Sequence, residues 1–420
     1  MVMFDLFFSY VYRFMHRFLG VKRSLSHQEK TLAWMFSFYD FNYALSGVFI
    51  NIFLFKRQDD LRTVVIFNLI QYAVILPAFW IGGHLSKRWG HLLSYQLGFV
   101  FSALVFAVTL TLRENSPDHP YLLGCLSGLG IGFYFLGEHA LTLDMTTEKT
   151  RDYFYSLTNL FTSVLSILAP ALAGGLIVLF EFKGSGQSAK DSSLGYYIVF
   201  AIALAIYLIL VFKSFQFKAK PVKKNFEFWK VLTFPENKGW NRYMAAQFIM
   251  GLRGGVFWFL LWILVFRFSQ NEAVVGGYSM FCNLMGVLTT YALALWAKAE
   301  NRRKGLWFSS WLMGLACIGL FFQINYYTIV FYAVLSAIGT SWFNVVSNGV
   351  AFKILEKATE AKIRKLEYLA VREAPLAAGR ILSLTLFWLS YLEFGENGLH
   401  GALLVFGFVH MGMFFVLPKD

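Results

Sequence analysis

TLAWMFSFYDFNYALSGVFINIFLF, residues 31–55, is a run of 25 residues with one charged side chain, Asp40. Coiled as an α-helix it extends about 37 Å at 1.5 Å per residue. The hydrocarbon core of a bilayer is about 30 Å thick, so this run is long enough to cross it. Asp40 stands about ten residues in, roughly 15 Å deep. A carboxylate at that depth costs free energy, and its neighbours must give it a reason to be there.

Eleven more runs of this kind follow. Thr63 to Gly82, Leu92 to Leu112, Tyr121 to Leu143, Tyr153 to Phe180 and Gly195 to Phe215 complete a first set of six. Trp240 to Phe266, Ala273 to Trp296, Leu306 to Gln323, Tyr326 to Ile354, Leu369 to Leu392 and Leu399 to Leu417 form a second. The sequence therefore predicts an all-α integral membrane protein of 12 transmembrane helices, numbered here spans 1 to 12 in this order. Composition agrees: 57% of the 420 residues are hydrophobic, 15% are charged and 19% are aromatic, which suits lipid and excludes an ordinary soluble domain.

The net charge of +13 does not imply nucleic acid, because the basic residues lie in short loops between apolar runs. Lys87 and Arg88, Lys149 and Arg151, and Lys298 to Lys304 occupy alternate loops, which marks those loops as cytoplasmic and puts both termini on that side. Lys56, Arg57 and Arg62 are the exception. Residues 1–24 are apolar but interrupted by Arg13, His16 and Arg17, and read as an amphipathic helix lying in the interface. Residues 25–215 and 239–420 then form two six-helix lobes joined by a basic cytoplasmic linker, 216–238. Phe352 to Leu366, rich in Glu and Lys, is expected to form a cytoplasmic helix. Cys125, Cys282 and Cys317 sit in apolar runs without CxxC spacing, and the histidines are scattered, so no metal site and no cofactor are expected.

Between spans 2 and 3 stands Gly83-His84-Leu85-Ser86-Lys87-Arg88-Trp89-Gly90-His91. It resembles the loop signature G-x-L-x-D-R-x-G-R of the major facilitator superfamily at Gly83, Leu85, Arg88 and Gly90. It departs at Lys87, where the family has Asp, and at His91. The resemblance covers the whole chain through its twelve spans and central linker, and implies two lobes that alternate access to a cavity between them. It also implies a structural latch between Arg88 and an acid at the end of span 4, Asp144 or Glu148, with Arg151 completing the polar loop. Since the family Asp is thought to hold the lobes together, Lys87 implies the loss of that tie. Ser46-Gly47-Val48-Phe49 in span 1 is echoed by Gly254-Gly255-Val256-Phe257 in span 7, as expected of a duplicated fold.

Charged and amide side chains inside the spans are the candidate site. Asp40, Glu138 and Glu373 are the proton-coupling candidates, since a carboxylate in an apolar cavity can take up and release a proton. Tyr39, Asn42, Arg253, Asn283, Trp342, Asn344, Asn348 and Arg380 are the cavity candidates. Arg253 lies at the depth of Asp40, and spans 1 and 7 face each other in the family, so the two are expected to pair. The alternative for the acids is a static ion pair, and for the amides a hydrogen bond that joins helices. Gly124, Gly128, Gly130, Gly132 and Gly137 predict close helix approach or bending in span 4.

The sequence thus predicts a secondary active transporter of a small organic solute, proton-coupled and monomeric, in a bacterial cytoplasmic membrane. Export of amphipathic compounds is the first subclass and carriage of an organic anion the second. Its partners are the lipid bilayer, the small-molecule solute and protons, without nucleic acid. A non-transporting scaffold or regulator on the same fold is the rival from another class. No nucleophile elbow or phosphate-binding loop points to an enzyme.

Overall fold

The computed structural model describes residues 25–184, 193–217, 226–233, 238–296, 302–357 and 364–416. The expected interfacial helix in residues 1–24 and much of the linker lie outside the described residues. Twelve helices among those described are long and apolar enough to cross a membrane, one for each expected run. They are spans 1 to 6, His27–Gln58, Leu61–Trp89, His91–Asp118, Pro120–Met145, Lys149–Glu181 and Leu194–Ser214, and spans 7 to 12, Gly239–Ser269, Glu272–Leu293, Lys304–Phe322, Tyr326–Asn344, Leu366–Phe394 and Glu396–Val416.

Local chemistry sets the ends. Ser26 caps span 1 by accepting from the Glu29 amide at 3.2 Å, and the Glu29 carboxylate accepts from the Ser26 amide at 2.7 Å. Span 1 stops where Asp59 takes a left-handed conformation with φ 49°, and Asp60 caps span 2 through the Arg62 amide. Span 11 is interrupted near its head. Helix Lys365–Val371 gives way to helix Glu373–Phe394 at Arg372, because Pro375 has no amide proton for the carbonyl one turn back. Arg364 is not helical, so the described part of Phe352 to Leu366 does not form the single cytoplasmic helix expected. Residues 352–357 extend the span 10 helix, and residues 358–363 lie outside the described residues.

The packing repeats itself with an offset of six. Span 1 lies on span 5, 2 on 4, 3 on 4 and 3 on 6; equally, 7 lies on 11, 8 on 10, 9 on 10 and 9 on 12. The two halves meet where 5 touches 8, 2 touches 11 and 1 touches 7. The 5–8 contact is backbone to backbone: a Cβ on Gly174 would come 2.3 Å from the Glu272 carbonyl, and one on Gly276 would come 2.2 Å from that of Pro170. The outer surface carries exposed Leu172, Phe212, Leu288 and Phe322, as lipid requires.

Candidate functional site

A cavity of about 440 Å³ lies between the halves, a size suited to a small organic solute. Asp40 lines it, held by Thr162 of span 5, whose hydroxyl donates to Oδ2 at 2.9 Å. Tyr39 lines it too, stacked on Tyr134 with ring centroids 3.2 Å apart. Across the cavity Asn283 of span 8 donates to the Ser166 carbonyl at 2.8 Å, so it both lines the space and joins the halves. Gln71, Trp258 and Trp262 also line the wall, with Ser127 donating to Gln71 at 2.7 Å.

A second cavity of about 320 Å³ adjoins the first, sharing Tyr43, Gln71, Ile131 and Trp258. It lies toward the face that carries the loop after span 2 and holds the ionisable groups: Glu138 and His139 of span 4 with Arg372, Glu373 and Arg380 of span 11. Arg372 lies 3.5 Å from Glu373 and 3.2 Å from His139 Nε2, the latter a contact between halves. Arg380 reaches no carboxylate among the described residues. Its guanidinium lies 5.4 Å from the rings of both Tyr72 and Trp258.

Several expected site residues are turned elsewhere. Arg253 does not pair with Asp40 and lines neither cavity; it donates to Tyr332 at 3.3 Å and Ser336 at 3.2 Å, with Phe257 beneath it. It shares Asp40's depth but lies five residues before the cavity-lining Trp258, about 140° around the helix. Asn42, about 200° from Asp40, instead joins span 1 to span 6 by donating to the Ala203 carbonyl at 2.9 Å. Trp342 packs on Phe308, ring centroids 5.2 Å apart, and Asn344 is exposed; neither lines a described cavity. The side chain of Asn348 lies outside the described residues, as does that of Glu148.

The loop after span 2 is built differently from the expected latch. Arg88 stacks over Trp89 at 4.9 Å, whereas Asp144 lies 3.4 Å from His91. Lys87 lies 3.0 Å from Glu367 at the head of span 11, so a tie between halves is present with its charges exchanged. Arg151 closes the end of span 4 by donating to the Thr146 hydroxyl and carbonyl. Gly83 lies under the Phe226 ring, which a Cβ would meet at 2.2 Å, and Gly90 turns the chain with φ 102°, a conformation that favours glycine. Phe226 belongs to the linker, whose Glu227 bonds Arg364 at 2.6 Å.

On the opposite face Lys56 lies 2.7 Å from Glu272 of span 8 and 3.0 Å from Glu181 of span 5. Tyr196 donates to the same Glu272 oxygen at 2.8 Å. Sequence reasoning treated Lys56 as an awkward loop charge, and did not single out Thr162, Gln71, Tyr72, Trp258 or Glu367. Gln71 is a polar amide deep in an apolar run, so the rule that found Asn283 would have found it. The others carry no signal in a single sequence.

Two halves of six spans, ties between them on both faces and a cavity at the centre define a membrane carrier. The profile of the Major Facilitator Superfamily matches residues 32–358. The chain belongs to that superfamily, and its family and fold make it a membrane transporter. A Bacillus subtilis (strain 168) protein described as the uncharacterized YqgE is 27% identical over 376 residues, 89% of this chain and 85% of that one. Among solved structures, the nucleoside transporter NupG superposes with a TM-score of 0.67 at 13% identity, covering 93% of this chain and 98% of its own. The human organic anion transporter MFSD10 does so with 0.63 at 13%, covering 94% and 100%.

Proposed function

We propose that the protein is a secondary active transporter that couples a small organic solute to protons by alternating access. The observation that carries this reading is Asp40: it lines the central cavity, and its one described hydrogen bond comes from a neutral hydroxyl, that of Thr162. With no cation in ion-pair contact among the described residues to hold it charged, such a carboxylate is free to gain and lose a proton as its surroundings alternate. Glu138 and Glu373 are the next proton carriers in line, both in the adjoining cavity. Residues 25–215 and 239–420 are the lobes that rock about the cavity, joined through 216–238. The distribution of basic loops supports both termini inside, and a monomer in a bacterial cytoplasmic membrane belongs to the same reading.

Export of amphipathic compounds is the first form of this reading, supported by the aromatic wall and the single acid of the larger cavity. Carriage of an organic anion is the second, supported by Arg380 in the smaller one. Purified protein in proteoliposomes, challenged with organic cations, organic anions and neutral amphiphiles, tests the coupling. Solute-dependent proton movement is expected for the native chain and is lost in Asp40→Asn. Solute exchange without proton movement overturns the coupling, and binding without exchange favours the scaffold.

A further inference from the structure

Of the two arginines on the cavities, Arg380 is the one without a carboxylate partner among the described residues. Arg372 is engaged by Glu373 and His139, Lys87 by Glu367, and Lys56 by Glu181 and Glu272. Arg380 has no carboxylate within ion-pair distance among the described residues, and its buried Nε has no hydrogen-bond partner. The surroundings hold it in place all the same. Gly254 of span 7 leaves room beside Nε, and the rings of Tyr72 and Trp258 flank the guanidinium from spans 2 and 7. Rings stabilise a guanidinium without neutralising it or occupying its hydrogen-bonding edge. An oriented, unneutralised fork of donors at a cavity wall matches an oxyanion, and a carboxylate most closely.

We infer that Arg380 is the docking point for the carboxylate of an amphipathic organic anion, whose body extends past Trp258 into the larger cavity. This rests on the organic-anion form of the proposed function and names the residue that reads the charge. Trp258 lies on both cavities and sits against Arg380, so a solute held there by its anion has an aromatic wall beside it and the amides Gln71 and Asn283 ahead.

The same placement fixes the sense of coupling. The acids on the two cavities are Asp40, Glu138 and Glu373, and the bases are Arg372 and Arg380. A bound anion adds negative charge beside these acids and favours a proton on one of them, so anion and proton bind with mutual preference and travel in the same direction. Asp40 is the acid nearest the solute body. The groups that face it are Tyr39 and Tyr43 on its own span, Tyr95 on span 3, Tyr134 and Glu138 on span 4, and Tyr207 on span 6. None is a cation.

The test is binding of benzoate, phenylphosphonate and tetraphenylphosphonium to purified full-length protein, read by tryptophan fluorescence and by calorimetric proton uptake, for the native chain, Arg380→Gln, Arg380→Lys and Asp40→Asn. Expected is anion binding that tightens up to about tenfold per pH unit of acidification, weakens at least tenfold in Arg380→Gln, returns in part in Arg380→Lys, and loses its proton uptake in Asp40→Asn. Anion binding unchanged in Arg380→Gln overturns the docking point and leaves organic-anion carriage standing. Binding of tetraphenylphosphonium with no response to either anion overturns both. Thermal unfolding of each variant distinguishes lost binding from lost fold.

Discussion

Lys87 Nζ lies 3.0 Å from Glu367 Oε1, with side chains only 9% and 2% exposed, and the two belong to opposite halves of the molecule. The loop signature that this protein resembles has an acid where Lys87 stands. A Coulomb attraction is unchanged when both signs are exchanged, so the tie survives the substitution provided that its partner carries the opposite charge. Glu367 does.

Exchanging one charge of this pair is therefore expected to harm, and exchanging both to repair. Lys87→Glu or Glu367→Lys leaves two like charges buried together and lowers stability by about 3–5 kcal/mol. The double variant Lys87→Glu with Glu367→Lys recovers most of that loss. Thermal unfolding in detergent measures all three, and a double variant as weak as the sum of the singles would refute the pairing.

The opposite face gives a second expectation. Lys56→Met leaves Glu181 and Glu272 facing each other without their cation, which repels the halves on that side. Access of a thiol reagent to a cysteine placed at Ser279, a cavity-lining residue of span 8, is expected to rise several-fold when the reagent is applied from the Lys56 face. Unchanged labelling would show that this clamp does not hold the face closed.

Gly83 and Phe226 make a steric prediction. A methyl group at Gly83 would sit 2.2 Å from the Phe226 ring, so Gly83→Ala costs about 1–3 kcal/mol unless the linker moves away. Adding Phe226→Ala removes the obstruction. If Gly83→Ala costs as much in the Phe226→Ala background as in the native chain, the ring does not rest on Gly83.

Arg253 and Arg380 are expected to behave differently although both are arginines inside spans. Arg253→Met breaks hydrogen bonds to Tyr332 and Ser336 within one half, which lowers stability by about 1–3 kcal/mol and leaves the choice among benzoate, phenylphosphonate and tetraphenylphosphonium unchanged. Parallel unfolding and binding measurements read the two effects separately, and an altered preference would return Arg253 to the cavity.

The spans were legible because each needs about 20 apolar residues, a property of contiguous sequence. Depth was legible for the same reason, and Asp40, Glu138, Glu373, Asn283 and Arg380 all line the cavities. Azimuth was not. Asn42 and Arg253 are at cavity depth yet point at span 6 and span 10, and only the packing of neighbouring helices decides which way a helix is rotated. Partners distant in sequence were equally hidden. Nothing in the loop after span 2 announces Glu367, and the expectation that Lys87 meant a lost tie came from reading one partner without the other.

Lys56 and Lys87 fasten the two halves at opposite ends of the same structure. A carrier that leaves one end before sealing the other would, for a moment, offer a continuous thread of water from one compartment to the next. Protons would run down it and discharge the membrane potential at no benefit to the cell. On the proposed alternating-access reading, a form with both lysines engaged at once lets a carrier pass between its open forms without that leak.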